Sequence, residues 1–330
     1  MRKKRLCLGA VAGLLAVGLA TGSASADPSG TPTYRDLAGV GSDTTQDVMN
    51  GLADTITVNG SKVIGSYDAT GSATITTKDP ATSPQCQNIP RPVGSGNGVN
   101  ALVNSLDNST GCVQFARSSS NNASSYAGKN LTYIPFAVDA VTYAVRSDSS
   151  ISKRLTTAQL RSIYNCTAPG SGTTYKPLLP QYGSGTRQFF MRSLGLTDAA
   201  NYTQQFTCVS DVDATGQPII ENTGTFLAQQ QHIAPYSIAQ YISQIYGVSP
   251  SVQGKAVLTT MNGVAATVLN TGSSFKRDVY NVVPTGQLGN APYSTVFVGP
   301  NSAVCTNAAT ITRYGFGTAP NCGDTSIVTP

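Results

Sequence analysis

The chain has 330 residues, of which only 11% are charged, and a formal net charge of +5. Four of the basic residues fall within the first five positions, so the rest is nearly neutral and a polybasic surface for nucleic acid or an acidic membrane is not supported. A single histidine, His232, and a single glutamate, Glu221, exclude most metal-dependent hydrolases, since an H-E-x-x-H helix cannot be written.

In chain order, Arg2, Lys3, Lys4 and Arg5 precede an apolar run from Leu6 to Leu19, and Ala24-Ser25-Ala26 follows. This is the pattern of an export signal at 1–26, cleaved after Ala26. The run is too short for an anchor. Cys7 stands at the very start of this run, whereas the lipid-bearing cysteine of a lipoprotein follows the apolar core, so Cys7 is not expected to carry a lipid. The expectation is a soluble, secreted chain without a lipid anchor, beginning at Asp27 and opening with a loose tail over 27–33. A chain of this length exceeds the usual single core and predicts two lobes.

A strand is expected over Arg35–Val40, then the loop Gly39-Val40-Gly41-Ser42-Asp43-Thr44-Thr45 and a helix over Gln46–Ala53. Lys62–Tyr67 is a second strand, and 68–92, rich in Pro and Thr, a surface excursion. The loop Gly94-Ser95-Gly96-Asn97-Gly98 leads into a helix over Gly98–Leu106. Cys112–Ala116 is a short strand ending in Arg117-Ser118-Ser119-Ser120, and Leu131–Val145 a long β-rich run interrupted by Asp139. Leu155-Thr156-Thr157-Ala158-Gln159-Leu160 opens a helix with a Thr cap. The loop Gly183-Ser184-Gly185-Thr186-Arg187 precedes a helix over Arg187–Leu194, and Asp278–Val283 is again a strand. Strands alternating with helices indicate an α/β fold with mostly parallel sheets, in which ligands bind at the carboxyl ends of strands.

The three glycine–serine loops each open a helix. Such a loop offers free N–H groups, hydroxyls and the positive end of a helix dipole, which together hold an anion. Three in one chain suggest convergence on a single anion. Arg117 and Arg187, in hydroxyl-rich loops, are either oxyanion forks or surface arginines. Asp43 is either a helix N-cap or the acceptor of a proton carried by the anion. Asp139, if buried, needs a partner and reads as a hinge or cap. His232 sits in a plain loop context and reads as structural. The motifs G-x-S-x-G, G-x-x-x-x-G-K-[ST] and G-x-G-x-x-G are absent, and nothing pairs two aspartates for glycoside hydrolysis.

Six cysteines follow the signal, an even set in an exported chain, which reads as disulfides. Of the possible pairings the sequence-adjacent one is simplest: Cys86–Cys112, Cys166–Cys208 and Cys305–Cys322. No C-x-x-C supports the rival metal site.

Taken together, Gly39-Val40-Gly41-Ser42, Val93 to Val99, Val113 to Ser119, Ile134 to Val141, Leu155 to Tyr164 and Gly183-Ser184-Gly185-Thr186-Arg187 resemble, in order and spacing, the phosphate-type substrate-binding proteins of ABC importers. The resemblance runs over residues 34 to 318. It implies the type II periplasmic-binding-protein fold: two lobes, 34–141 plus 278–330 and 142–277, joined by two crossover strands near 139–145 and 278–284. It implies inorganic phosphate or a similar oxyanion in the cleft, an ABC permease as partner, a monomer, no cofactor, no nucleic acid and no catalysis. The ligand positions it implies are Ser95, Ser118, Ser184, Gly185 and Thr186, and the loops themselves add Ser42, Asp43, Thr44, Gly96, Arg117, Ser119 and Arg187 as candidates. Where the family has a Ser-Asp pair this chain has Ser118-Ser119, and where the family has an arginine it has Pro180-Gln181-Tyr182. Asp43 would then replace the carboxylate, and Arg117 or Arg187 the arginine. The competing reading is a secreted hydrolase or surface protein that keeps the fold without the anion site.

Overall fold

The computed structural model describes residues 27–265, 267 and 275–330. The export signal read at 1–26 lies outside the described residues.

Among the described residues, nine strands build one central sheet: β1 (Leu37–Gly41), β2 (Ile64–Ser66), β3 (Phe115–Ser118), β4 (Leu131–Arg146), β5 (Lys176–Pro177), β6 (His232–Ser237), β7 (Ala256–Leu258), β8 (Lys276–Pro284) and β9 (Gly317–Thr318). Their order is β5-β6-β4-β8-β3-β1-β2, with β7 and β9 also pairing with β4. Strand β1 lies parallel between β2 and β3, and β5 parallel to β6. Every antiparallel ladder in the sheet involves β4 or β8, the two long strands that run between its halves. The helices that concern the site are α1 (Gln46–Thr55), α2 (Ser95–Asp107), α3 (Thr157–Tyr164), α4 (Gly185–Ser193) and α5 (Ile238–Ile245). The class is α/β, and parallel strands feeding helices bring loops together at the strand ends.

Strand β4 carries the architecture. All but the last of its 16 residues are buried, which matches its near-continuous apolar sequence. Its first half joins one core, where Ile134 and Phe136 pack with Leu37, Val48, Phe115 and Val279. Its second half joins another, where Val141, Tyr143 and Val145 pack with Leu160, Phe190 and Met191. Alternate residues face opposite sides, so Ala144 turns instead to Tyr236 and Leu227.

Local chemistry sets the helix starts. Thr156 caps α3 in a reciprocal capping box with Gln159, and Ser184 and Ser237 cap α4 and α5. Gly41 and Gly98 are forced by close approach, because a Cβ on Gly98 would lie 2.5 Å from the Gly41 Cα. Bare backbones let α2 sit directly against the end of β1. The three sequence-adjacent disulfides are formed, each tying one local stretch.

Two local expectations are corrected. The 27–33 segment is tied down, since Arg91 pairs with Asp27 and Arg35 donates to the Ser29 carbonyl. His232 is not in a loop but opens β6, where its Nδ1 meets the Phe226 carbonyl at 3.2 Å and burial lowers its pKa.

Candidate functional site

The three glycine–serine loops meet. The Gly96 N–H donates to the Gly183 carbonyl at 2.9 Å, joining the second loop to the third. Thr44 Oγ1 and Thr186 Oγ1 lie 3.2 Å apart, joining the first to the third. Ser95 Oγ lies 3.3 Å from Ser119 Oγ and accepts from the Ser119 N–H at 3.0 Å, which brings in the end of β3. Gly185 is the contact point, since a Cβ there would fall 2.4 Å from Ser119 Oγ and 2.5 Å from Ser95 Oγ. Only a glycine lets the first turn of α4 reach these hydroxyls. Ser42, Thr44, Ser95, Ser119 and Thr186 are all fully buried.

Other expected members are placed nearby but committed elsewhere. Ser118 Oγ donates to the Ser120 carbonyl, and Ser184 Oγ caps α4 by accepting from the Arg187 N–H. Asp43 makes no side-chain helix cap, and the residue at that position of α1 is Thr45. The Asp43 carboxyl instead turns inward. It is 2% exposed, its Oδ2 accepts from the Glu221 N–H at 3.1 Å, and Oδ1 has no partner among the described residues. Burial first, and then the charge of the neighbouring Glu221, push the Asp43 carboxyl well above the usual range.

The two expected arginines have other partners. Arg117 is fully buried and donates to the carbonyls of Gly39, Ser42 and Tyr67 and to Ser66 Oγ. It stitches the ends of β1 and β2 to β3, and burial lowers its pKa to about 10. Arg187 is also fully buried; it pairs with Asp198 at 2.8 Å and Asp211 at 2.9 Å and donates to the carbonyls of Pro180 and Ala199. Both guanidiniums are spent on the fold.

Two residues that the sequence did not single out as ligands reach this cluster instead. Arg277, at the start of β8, donates from Nη2 to Thr186 Oγ1 at 2.7 Å and pairs with Asp139 at 2.8 Å, while its buried Nη1 has no partner among the described residues. Glu221 is 1% exposed, and its Oε1 accepts from Thr44 Oγ1 at 2.6 Å and from Ser119 Oγ at 3.4 Å. Asp139 is structural: Oδ1 accepts from Ser237 Oγ and from the Ala239 N–H, seating the start of α5. The one sequence signal for Glu221 is its singularity. For Arg277 it is a charged residue placed immediately before an apolar strand.

The cluster therefore offers hydroxyl donors from three loops, the first turn of the nine-residue helix α4, one guanidinium with a free edge and a buried carboxyl able to accept or hold a proton. That donor set suits a small oxyanion. Among the described residues, no group of three histidine, cysteine or acidic side chains is placed to hold a metal ion.

Comparison with known proteins agrees with this fold. The family model described as a PBP superfamily domain matches residues 26–298. No curated protein sequence matches the chain. Among solved structures, a phosphate ABC transporter substrate-binding protein with bound phosphate from Clostridium perfringens superposes with a TM-score of 0.54 at 13% identity, covering 86% of this chain and 99% of that one. An ABC-type phosphate transport receptor from Vibrio cholerae gives 0.50 at 18% identity, covering 86% of this chain and 100% of that one. At these identities the likeness is one of fold.

Proposed function

We propose, because the chain belongs to the PBP superfamily domain family, that it is a secreted solute-binding protein whose interlobe cleft captures phosphate or a similar oxyanion, without catalysis. The reading keeps the lobes at 34–141 plus 278–330 and 142–277. Support for that division comes from the change of core partners along β4 close to Asp139. It also keeps an ABC permease as the partner of a monomeric receptor.

One observation carries the reading: Ser95, Ser119, Thr44, Thr186 and Arg277, from five separate stretches of chain, turn polar side chains onto one buried point. Ser42 Oγ and Arg277 Nη1 are buried without a partner among the described residues; leaving a polar group so costs of order 1–3 kcal/mol, and an oxyanion would offset it. Micromolar capture needs about 8 kcal/mol of net binding energy. Asp43 lies beside this set and would favour phosphate over sulfate, since a carboxylate there could accept the proton that phosphate keeps at neutral pH and sulfate lacks. Calorimetric titration of refolded, ligand-stripped protein with phosphate and with sulfate tests this, and saturable phosphate binding is expected. No binding of either anion leaves the second reading, a secreted hydrolase or surface protein that keeps only the fold. The observation on that side is Glu221, whose carboxylate already lies among the hydroxyls.

A further inference from the structure

Glu221 reaches the cleft from a loop remote in sequence from all three glycine–serine segments. Thr44 and Ser119, which donate to its Oε1, are separated from it by 177 and 102 residues. Its own N–H holds Asp43 Oδ2, and Asn222 donates from Nδ2 to the Asp43 carbonyl at 3.3 Å. On the far side the Asn222 carbonyl accepts from Tyr236 Oη at 3.1 Å and from Gln244 Nε2 at 2.6 Å, which fixes the segment to β6 and α5. A two-residue bolt thus joins the first glycine loop to the half of the molecule that carries α5. A carboxylate is itself an oxyanion, and it uses the same hydroxyl donors that a solute would use. Its second oxygen, Oε2, is buried and has no partner among the described residues, so the seat holds a carboxylate incompletely. A cavity of about 430 Å³, lined by residues including Asp47, Asp68, Ile220, Asn222, Thr223 and Tyr314, flanks the segment and gives it room to withdraw.

We propose that Glu221 is a tethered stand-in for the solute: its carboxylate occupies the oxyanion seat in the solute-free protein and latches the 221–222 segment across the cleft. An entering anion must displace it. The competition half of this proposal rests on the oxyanion reading of the cleft; the latch half does not. The competing group is on the same chain and therefore acts at a high effective concentration. A seat occupied about nine-tenths of the time by its own carboxylate lowers the apparent solute affinity about tenfold. The residue thereby sets which anions bind, because only one that gains more from Thr44, Ser119 and Arg277 than Glu221 does can take the place.

The test has two arms, each run on the wild type, Glu221→Gln, which keeps volume and one acceptor oxygen, and Glu221→Ala. Without solute, amide exchange over 42–46 and 119–121 and the small-angle scattering radius report the latch. Faster exchange and a larger radius are expected in Glu221→Ala, with Glu221→Gln between it and the wild type. Unchanged exchange and radius in Glu221→Ala overturn the latch. In the second arm, titration with inorganic phosphate is expected to show binding about tenfold or more tighter in Glu221→Ala. Equal binding overturns the competition, and weaker binding overturns it and makes Glu221 a ligand residue. Failure of every variant to bind phosphate or sulfate overturns the oxyanion reading and the competition with it, while the exchange arm still decides the latch. Should Glu221→Ala not fold, Glu221→Gln, judged folded by circular dichroism, decides both arms by the same signs.

Discussion

Arg277 stands directly opposite Asp139 in the antiparallel ladder between β8 and β4, and Nη2 meets Oδ2 at 2.8 Å where both chains pass between the two cores. The pair also reaches sideways: Asp139 holds the start of α5, and Arg277 holds Thr186 in the first turn of α4. One buried ion pair therefore ties together both long strands and two helices. Asp139→Ala leaves the guanidinium buried without its counter-charge. A loss of about 3–5 kcal/mol in chemical denaturation is expected. A loss under 1 kcal/mol would show that Arg277 finds another partner.

Arg277 and Arg187 should separate cleanly. Arg277→Gln removes the guanidinium that edges the cleft, and phosphate affinity should fall about tenfold to a hundredfold, the equivalent of one charge-assisted bond of about 1.5–3 kcal/mol. Arg187→Gln leaves Asp198 and Asp211 without their partner, so it should lower the melting temperature while phosphate affinity in the folded protein changes less than about threefold. Calorimetry beside thermal melts of both variants checks this. The reverse pattern would restore Arg187 as the anion's arginine.

Asp43→Asn removes the proton acceptor. Phosphate binding should weaken by about tenfold or more, and sulfate binding, where present, should hold or improve. Equal phosphate affinity in the two proteins would show that Asp43 only positions Glu221 through its backbone N–H.

Asp68 gives a pH signature. Burial, the largest influence, raises its carboxyl to about 6, although Asn50 donates to it. Its ordinary value is about 3.9, so the folded chain binds this proton more tightly than the unfolded one. The resulting stability is full below pH about 4 and is lost as the pH rises through about 6. Asp68→Asn should therefore raise the melting temperature at pH 7 and flatten the pH dependence between 4 and 6. Melts of both proteins across that range would count against the assignment if the two curves ran parallel.

The disulfides are open to direct mapping. Unreduced peptides should contain Cys86–Cys112, Cys166–Cys208 and Cys305–Cys322. Cys166→Ala/Cys208→Ala should cost about 2–4 kcal/mol, since this bridge closes the longest of the three loops. Crossed linkages between the 86/112 and 166/208 pairs would contradict the fold.

What the sequence by itself determined are features set by neighbours along the chain. The Thr cap within 155–160, the apolar run of β4 and the three loops at helix starts depend on residues within a few positions of one another, so pattern alone reveals them. The disulfides followed for the same reason, each pair bounding a local stretch. The tertiary structure decided which charges serve the cleft. Arg117 looked available in its loop, yet the carbonyls that consume it belong to Gly39, Ser42 and Tyr67, at least 50 residues away. Arg277 meets Asp139 only through the register of an antiparallel ladder spanning 138 residues of sequence. Glu221 enters because a loop folds back over Asp43 and Thr44. Whether a buried charge is free or spent depends on which polar atoms surround it after folding. That is a property of long-range contacts, which no local periodicity encodes.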